Sequence, residues 1–385
     1  MENVMTARER FRQICRFERP NDPYMWGIAA WKGTYERWYD EGMPVKPTNA
    51  KEVRTYLLGN QNRTEGIQPK GAIQGMTRHG ALRWIVALDP MFKPEMISET
   101  EEHVVEVDFD GSIVERKKRG DASIPRYIEY PVKDKKTWDE YKKRLDPFSP
   151  GRWPEGWEKG TEERDVPLGM NLLSLYGNPR NYMGLENLSY AIFDNIALVE
   201  EMIEWQAYLA YEMAKKVFAS GVTLDWVWIW EDMAFNKGSL VSPSFVRKYM
   251  APKYRKVVDL LRSNGVEALI LDCDGNIDEL LPIWIDCGIN ATYPLECAAG
   301  MDGRKVREKY GNNIILVGNI DKKALAKGKK EIDAEIIKAK SLLEHSGYFP
   351  SVDHHIPPDV PYENMVYFLN ELHKLSDYEE TRRFI

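Results

Sequence analysis

From residue 166 onward the chain alternates short apolar runs with longer stretches whose apolar positions recur every three to four residues. The runs at 166–173, 222–230, 268–271, 289–294, 314–318 and 347–352 predict strands, and the stretches at 197–219, 243–264 and 322–346 predict helices. Gly221, Gly265 and Gly347 stand where helices should stop, and Ser242-Pro243 pairs a cap with a proline at a helix start. Strand followed by helix, repeated, means a parallel sheet. No GxGxxG turn appears, and the number of units suits closure, so the expected fold class is α/β, a (βα)8 TIM-type barrel. An open, doubly wound sheet is the alternative.

The first 160 residues lack this rhythm. A helix is expected over 6–17, followed by a loop with Pro20 and Pro23, and residues 104–115 alternate around Asp110-Gly111, a hairpin signal. No linker composition separates this part from the rest. The expectation is one domain over 1–385, in which 1–160 carries a helical and hairpin extension and 161–385 carries the regular βα units.

Composition narrows the function. The hydrophobic content of 43% suits an enzyme-sized core, and a net charge of −7 argues against a nucleic-acid partner. The basic run Glu115 to Arg119 reads as a solvated hairpin edge. No apolar stretch is long enough to span a membrane, and the start at Met1 lacks the apolar segment of a secretory leader, so a cytoplasmic location is expected. Four cysteines without a CxxC pair fit a reducing compartment.

Candidate chemistry collects at the ends of the expected strands, where a parallel barrel gathers its catalytic groups. Asp272-Cys273-Asp274-Gly275 closes one apolar run; strand alternation points Asp272 and Asp274 the same way, about 7 Å apart, and Cys273 the other. A plain capping role for both aspartates is the competing reading. Glu231-Asp232 and Glu296 end other runs as acid-base candidates, and Asn319 and Asp321 are expected to support them. Trp226, Trp228 and Trp230 share one strand face, which fits core packing; Trp230, with Trp26, Trp31, Tyr35, Trp38 and Tyr182, also fits a flat pocket for an arene. His354 and His355 follow the last strand, whereas His79, His103, His345 and His373 show no partner pattern.

Several separated segments, Met5-Thr6-Ala7-Arg8-Glu9-Arg10-Phe11, Trp230-Glu231-Asp232-Met233-Ala234, Leu316-Val317-Gly318-Asn319-Ile320-Asp321, Pro350-Ser351-Val352-Asp353-His354 and Pro361-Tyr362-Glu363-Asn364, resemble the uroporphyrinogen decarboxylase superfamily in the same order. That resemblance implies a (βα)8 barrel with its pocket at the carboxyl end. True decarboxylases of the family carry an early M-R-Q-A-G-R stretch that holds a polycarboxylate; here Tyr24 to Tyr35 contains neither arginine, and Lys32 alone is no substitute for two guanidinium forks. The cobalamin-dependent methyltransferase branch has a zinc site, H-x-C-G with a later cysteine. On that pattern Asp272, Asp274 and His354 fall on the ligand positions, with His355 or Glu296 as a further candidate. The resemblance therefore implies a divalent metal, zinc or a harder ion suited to carboxylates.

The expected activity is methyl transfer from a small O-methyl donor, a methoxylated aromatic among the candidates, to the cobalt of a corrinoid carried by a separate protein. The alternatives are a decarboxylase or lyase acting on a smaller carboxylate, with Glu231 or Glu296 as the proton donor, and a non-catalytic binding barrel.

Overall fold

The computed structural model describes residues 5–46, 53, 56–57, 88–118, 124–153, 157–158 and 164–376. The readings made on Met1, His79 and Arg119 lie outside the described residues.

All six expected strands form. β5 (Gly169–Leu173), β6 (Trp226–Trp230), β9 (Ala268–Asp272), β10 (Ala291–Tyr293), β11 (Ile315–Ile320) and β12 (Tyr348–Val352) make one sheet in the order β12-β11-β10-β9-β6-β5, and every pair in it is parallel. Residues 24–30 lie along the far side of β12: Trp26 N donates to Pro350 O at 3.3 Å, and Ile356 N donates to Ala29 O at 2.9 Å. Two separate buried clusters mark the two faces of this curved wall. Trp226, Trp228, Ala268, Ile270, Ala291, Ile315, Val317 and Phe349 fill the inside. Their neighbours Val227, Ile229, Leu269, Leu271, Leu316 and Tyr348 pack outward against the helices. That is the layering of a TIM-type α/β barrel, as expected.

Inside, the large rings need matching gaps. Gly169 pairs with Trp226 across β5 and β6, and a Cβ on Gly169 would fall 2.0 Å from the indole. Trp26 stacks on Trp228 with ring centroids 5.7 Å apart.

The amino-terminal end of the barrel is closed by α1 (Ala7–Cys15), which Thr6 and Glu9 start with a reciprocal capping box. Phe11, Ile14 and Cys15 enter the inner cluster. Arg8 holds the buried Asp225 at 2.9 Å and Arg12 holds Glu267 at 3.0 Å, both residues lying just before strands. The segment Met5 to Phe11 is thus a plug for the barrel floor. A second helix, α2 (Lys32–Asp40), follows the segment beside β12.

Three expectations change. The hairpin is part of a four-stranded antiparallel sheet, β1 (Glu95–Glu99), β2 (His103–Val107), β3 (Ile113–Lys117) and β4 (Arg126–Glu129), whose outer strands carried no strong alternation to announce them. The helix expected over 322–346 is divided into Lys322–Lys327 and Lys329–Leu343 by Gly328, whose φ of +129° is outside helical geometry. The one expected over 243–264 contains a π turn at Val246–Met250 before Ala251–Ser263. A further antiparallel pair, β7 (Ala234–Phe235) and β8 (Gly238–Ser239), lies in the connection after β6. Among the described residues, no helix is long and apolar enough to cross a membrane.

Candidate functional site

The inward row of β9 ends in a carboxyl group. Asp272 stands level with Trp230 of β6 and Tyr293 of β10, and its Oδ2 accepts a hydrogen bond from Trp228 Nε1 at 2.9 Å. The Tyr293 ring packs 5.1 Å from that of Trp228. Burial among these groups, then Asp274 and Asp232 nearby, push the Asp272 carboxyl well above the usual carboxylate range, against the smaller opposing effect of the indole N–H. The site therefore favours the protonated acid. Cys273 points the other way, as alternation requires, and accepts Met233 N on Sγ at 3.3 Å.

Asp274 lies beyond the strand end. Its amide donates to Asp232 Oδ1 at 3.2 Å, and Gly275 then turns with φ +87°, where a Cβ would meet the Phe235 backbone at 2.7 Å. Asp232 itself has φ +49°, a strained value for a residue with a Cβ. Arg180 holds it there, donating to Asp232 O at 2.5 Å and to Oδ2 at 3.1 Å. The same guanidinium covers the Trp230 ring at 5.2 Å.

His354 follows β12, and its Nε2 lies 3.4 Å from Asp274 Oδ2. This carboxylate raises the imidazole's proton affinity above its ordinary value, with burial and Lys322 opposing. His355 stacks on Trp31 at 4.8 Å, whereas His354 reaches Asp274. Because the folded value is raised, the pair's contribution to stability is complete below the unfolded value near 6.5 and is lost as pH rises through the folded one. Asp274→Asn should move the His354 midpoint down towards that ordinary value in an NMR titration; an unmoved midpoint would show that the pair has no effect.

Glu296 braces the same turn. Its Oε2 accepts Gly275 N at 3.1 Å and its Oε1 lies 3.5 Å from Lys322 Nζ. Lys322 also sits 3.8 Å from the buried Asp353, which accepts Cys297 N at 2.9 Å. Asn319 ties the neighbouring loop, accepting Gly303 N at 2.7 Å and donating to Leu295 O at 2.8 Å, and Asp321 caps the helix that begins at Lys322.

The structure thus brings together Asp232, Asp272, Asp274, Glu296, His354, Trp230 and Trp31. It does not bring Glu231, which is fully buried on the outer side of the wall and bound by the Leu175, Tyr176 and Gly177 amides and the Tyr254 hydroxyl. Tyr182 packs on Tyr141 at 4.6 Å, away from the mouth. Tyr35 is buried against Trp38, its hydroxyl accepting Ala30 N at 3.2 Å. Trp26 lies beneath the site as its floor, stacked on Trp228. Arg180 and Lys322 were not singled out from the sequence. Each is one cation among many, and only the fold carries them to this rim.

The expected three-ligand metal centre is not assembled. Among the described residues no three His, Cys, Asp or Glu side chains converge as ligands. Asp274 and His354 face each other, while Asp272 Oδ2 is engaged by Trp228. As the side chains stand, Asp272, Asp274 and His354 do not converge on one point, although their oxygen and nitrogen donors are of a kind that holds a divalent ion.

The family model described as uroporphyrinogen decarboxylase (URO-D) matches residues 163–375, more than half of the chain. Curated uroporphyrinogen decarboxylases from Campylobacter lari and Helicobacter acinonychis are each 24% identical, over 52% and 47% of this chain, which spans only 55% and 48% of their lengths. A solved methyltransferase from Methanosarcina mazei superposes with a TM-score of 0.55 at 16% identity, covering 96% of this chain and 99% of that one, a likeness of fold.

Proposed function

The chain belongs to the uroporphyrinogen decarboxylase family, and from that premise we propose that it is a methyltransferase drawing its methyl group from an O-methyl donor, with a methoxylated aromatic as the preferred class and a corrinoid on a separate protein as the acceptor. The observation that carries this reading is the placement of the Asp272 carboxyl among Trp228, Trp230 and Tyr293 at the barrel mouth, where burial and the neighbouring aspartates raise its proton affinity. Breaking an O–CH3 bond leaves the bonding electrons on oxygen, which is a poor leaving group until that charge is neutralised. Asp272 gives its proton to this oxygen as the methyl departs, so an alcohol or phenol leaves and Asp272 becomes the carboxylate. A reduced corrinoid supplies the nucleophile for the methyl group. The indole and phenol rings offer flat apolar walls for an arene, and Arg180 and His354 offset the acidic charge around it. The M. mazei methyltransferase, alike over nearly its whole length, supports the choice of branch.

The test is a panel of methoxyarenes, methanol, methylamines and methylthiols incubated with a reduced corrinoid protein, with methylcobalamin followed by absorbance. Methoxyarene turnover is expected, and reaction with amines or thiols only would overturn the reading. A second reading, decarboxylation of a smaller carboxylate, is favoured by the activity named for the curated relatives and by the presence of Arg180 at the rim beside a proton donor. Carbon dioxide release from carboxylated members of the panel would select it, and no turnover of any compound would favour a binding barrel.

Uroporphyrinogen itself is expected to remain unchanged. Residues 24–35 contain no arginine, and the rim cations Arg180 and Lys322 are already paired with Asp232, Glu296 and Asp353. Each charge-assisted hydrogen bond missing from a polycarboxylate forgoes about 1.5–3 kcal/mol. Porphyrinogen consumption at an ordinary enzymatic rate, followed chromatographically, would contradict this.

A further inference from the structure

Glu231 stands between two rim residues, Trp230 and Asp232, yet its own side chain turns outward and has no part in the reaction proposed above. It is fully buried and accepts four hydrogen bonds. Oε1 receives Leu175 N at 2.8 Å and the Tyr254 hydroxyl at 2.7 Å; Oε2 receives Tyr176 N at 2.7 Å and Gly177 N at 3.3 Å. Three successive amides converging on one carboxylate set the path of the loop after β5. That loop leads into the helix Gly177–Met183, and its first residue abuts the mouth: a Cβ on Gly177 would fall 2.8 Å from the Trp230 ring. One turn further on, Arg180 reaches back over Trp230 to bind both the backbone oxygen and the carboxylate of Asp232. Asp232 in turn accepts the Asp274 amide beside His354.

We infer that Glu231 is a positioning residue for the barrel mouth: by tying residues 175–177 it sets Arg180, which locks Trp230 and Asp232, and through Asp232 the turn that carries Asp274. Its place at a strand end beside Asp232 suggests an acid-base role, but its contacts set it in the clasp behind the reacting groups. The catalytic consequence rests on the proposed methyl transfer, whereas the linkage between loop and turn does not.

Two variants test it, Glu231→Gln, which presents an amide NH2 to part of a ring of donors, and Arg180→Lys, which keeps the charge but loses the fork. Hydrogen exchange reads the linkage without any assay of turnover. The 175–177 amides should exchange about tenfold faster or more in Glu231→Gln, and the Asp274 amide should speed up in both variants. Loss of protection confined to 175–177 would overturn the linkage, whatever the reaction. In methyl transfer, Glu231→Gln should lower kcat/KM by about 10- to 100-fold, as misplacement of reacting groups does, and leave the pH at which activity declines unmoved. The double variant should lose no more than the worse single one, because the two residues act in series. Independent, additive losses would show that they act separately, and a displaced pH profile would make Glu231 itself an acid. If Glu231→Gln does not fold, Tyr254→Phe removes one of the four donors and should give the same pattern at smaller amplitude, with an unchanged Asp274 amide counting against the clasp. Absence of methyl transfer together with faster Asp274 exchange would reject the proposed reaction and retain the clasp.

Discussion

Asp272→Asn is expected to lower methyl transfer by about 10²- to 10⁴-fold, the range in which a positioned general acid contributes. The amide keeps the shape of the carboxyl and an oxygen for Trp228 Nε1, but it has no proton to give to the departing oxygen. The parent enzyme should be active while Asp272 is protonated and lose activity as pH rises through its raised value, and that decline should vanish in the variant. Stability should move in the opposite direction. A carboxyl whose folded value lies above its unfolded one stabilises the fold fully below the unfolded value, near 3.8, and that contribution is lost as pH rises through the folded value. At neutral pH Asp272→Asn should therefore melt at a higher temperature than the parent, with the gap closing in acid. Near-parental kcat with an unchanged pH profile would remove Asp272 from the chemistry, and a variant less stable at neutral pH than in acid, relative to the parent, would contradict the raised value.

The largest effect on folding is expected at the barrel interior. Trp226 is wholly buried, makes an edge-on contact with Trp26 at 5.3 Å, and occupies the space that Gly169 leaves open. Trp226→Ala removes those contacts in a ring of side chains held by strand pairing, which limits collapse of the cavity. A loss of about 3–5 kcal/mol is expected from urea unfolding, as for other buried aromatic truncations. A loss below about 1 kcal/mol would mean that the interior repacks freely, contrary to the close packing of protein cores.

Much of the fold was legible because it follows from local rules. Strand alternation is a steric property of the backbone, so the outward turn of Cys273 between Asp272 and Asp274 could be read without knowing what surrounds them. Sharing a face, however, did not bring Asp272, Asp274 and His354 to one point. Whether three side chains converge depends on how β9 and β12 approach around the barrel, and there Trp228 engages one aspartate while His354 pairs with the other. Glu231 and Asp232 show the same limit at shorter range. The sequence presents two adjacent acids at a strand end; the positive φ of Asp232, held by Arg180 from another βα unit, brings Asp232 to the rim while Glu231 is tied behind the wall.

The sequence by itself determined the order of the six parallel strands, the helices that follow β5, β6 and β11, the first helix capped by Thr6, and the strand ends at which carboxylates collect, since periodicity, capping and turn chemistry act between residues close in the chain. Tertiary structure alone decided which of those carboxylates meet, that Arg180 and Lys322 join them, that Glu231 serves the loop behind, and that the Asp272 carboxyl is pushed above the usual carboxylate range. Each of these depends on burial and on partners distant in sequence, because the charge state and direction of a side chain are set by what packs around it.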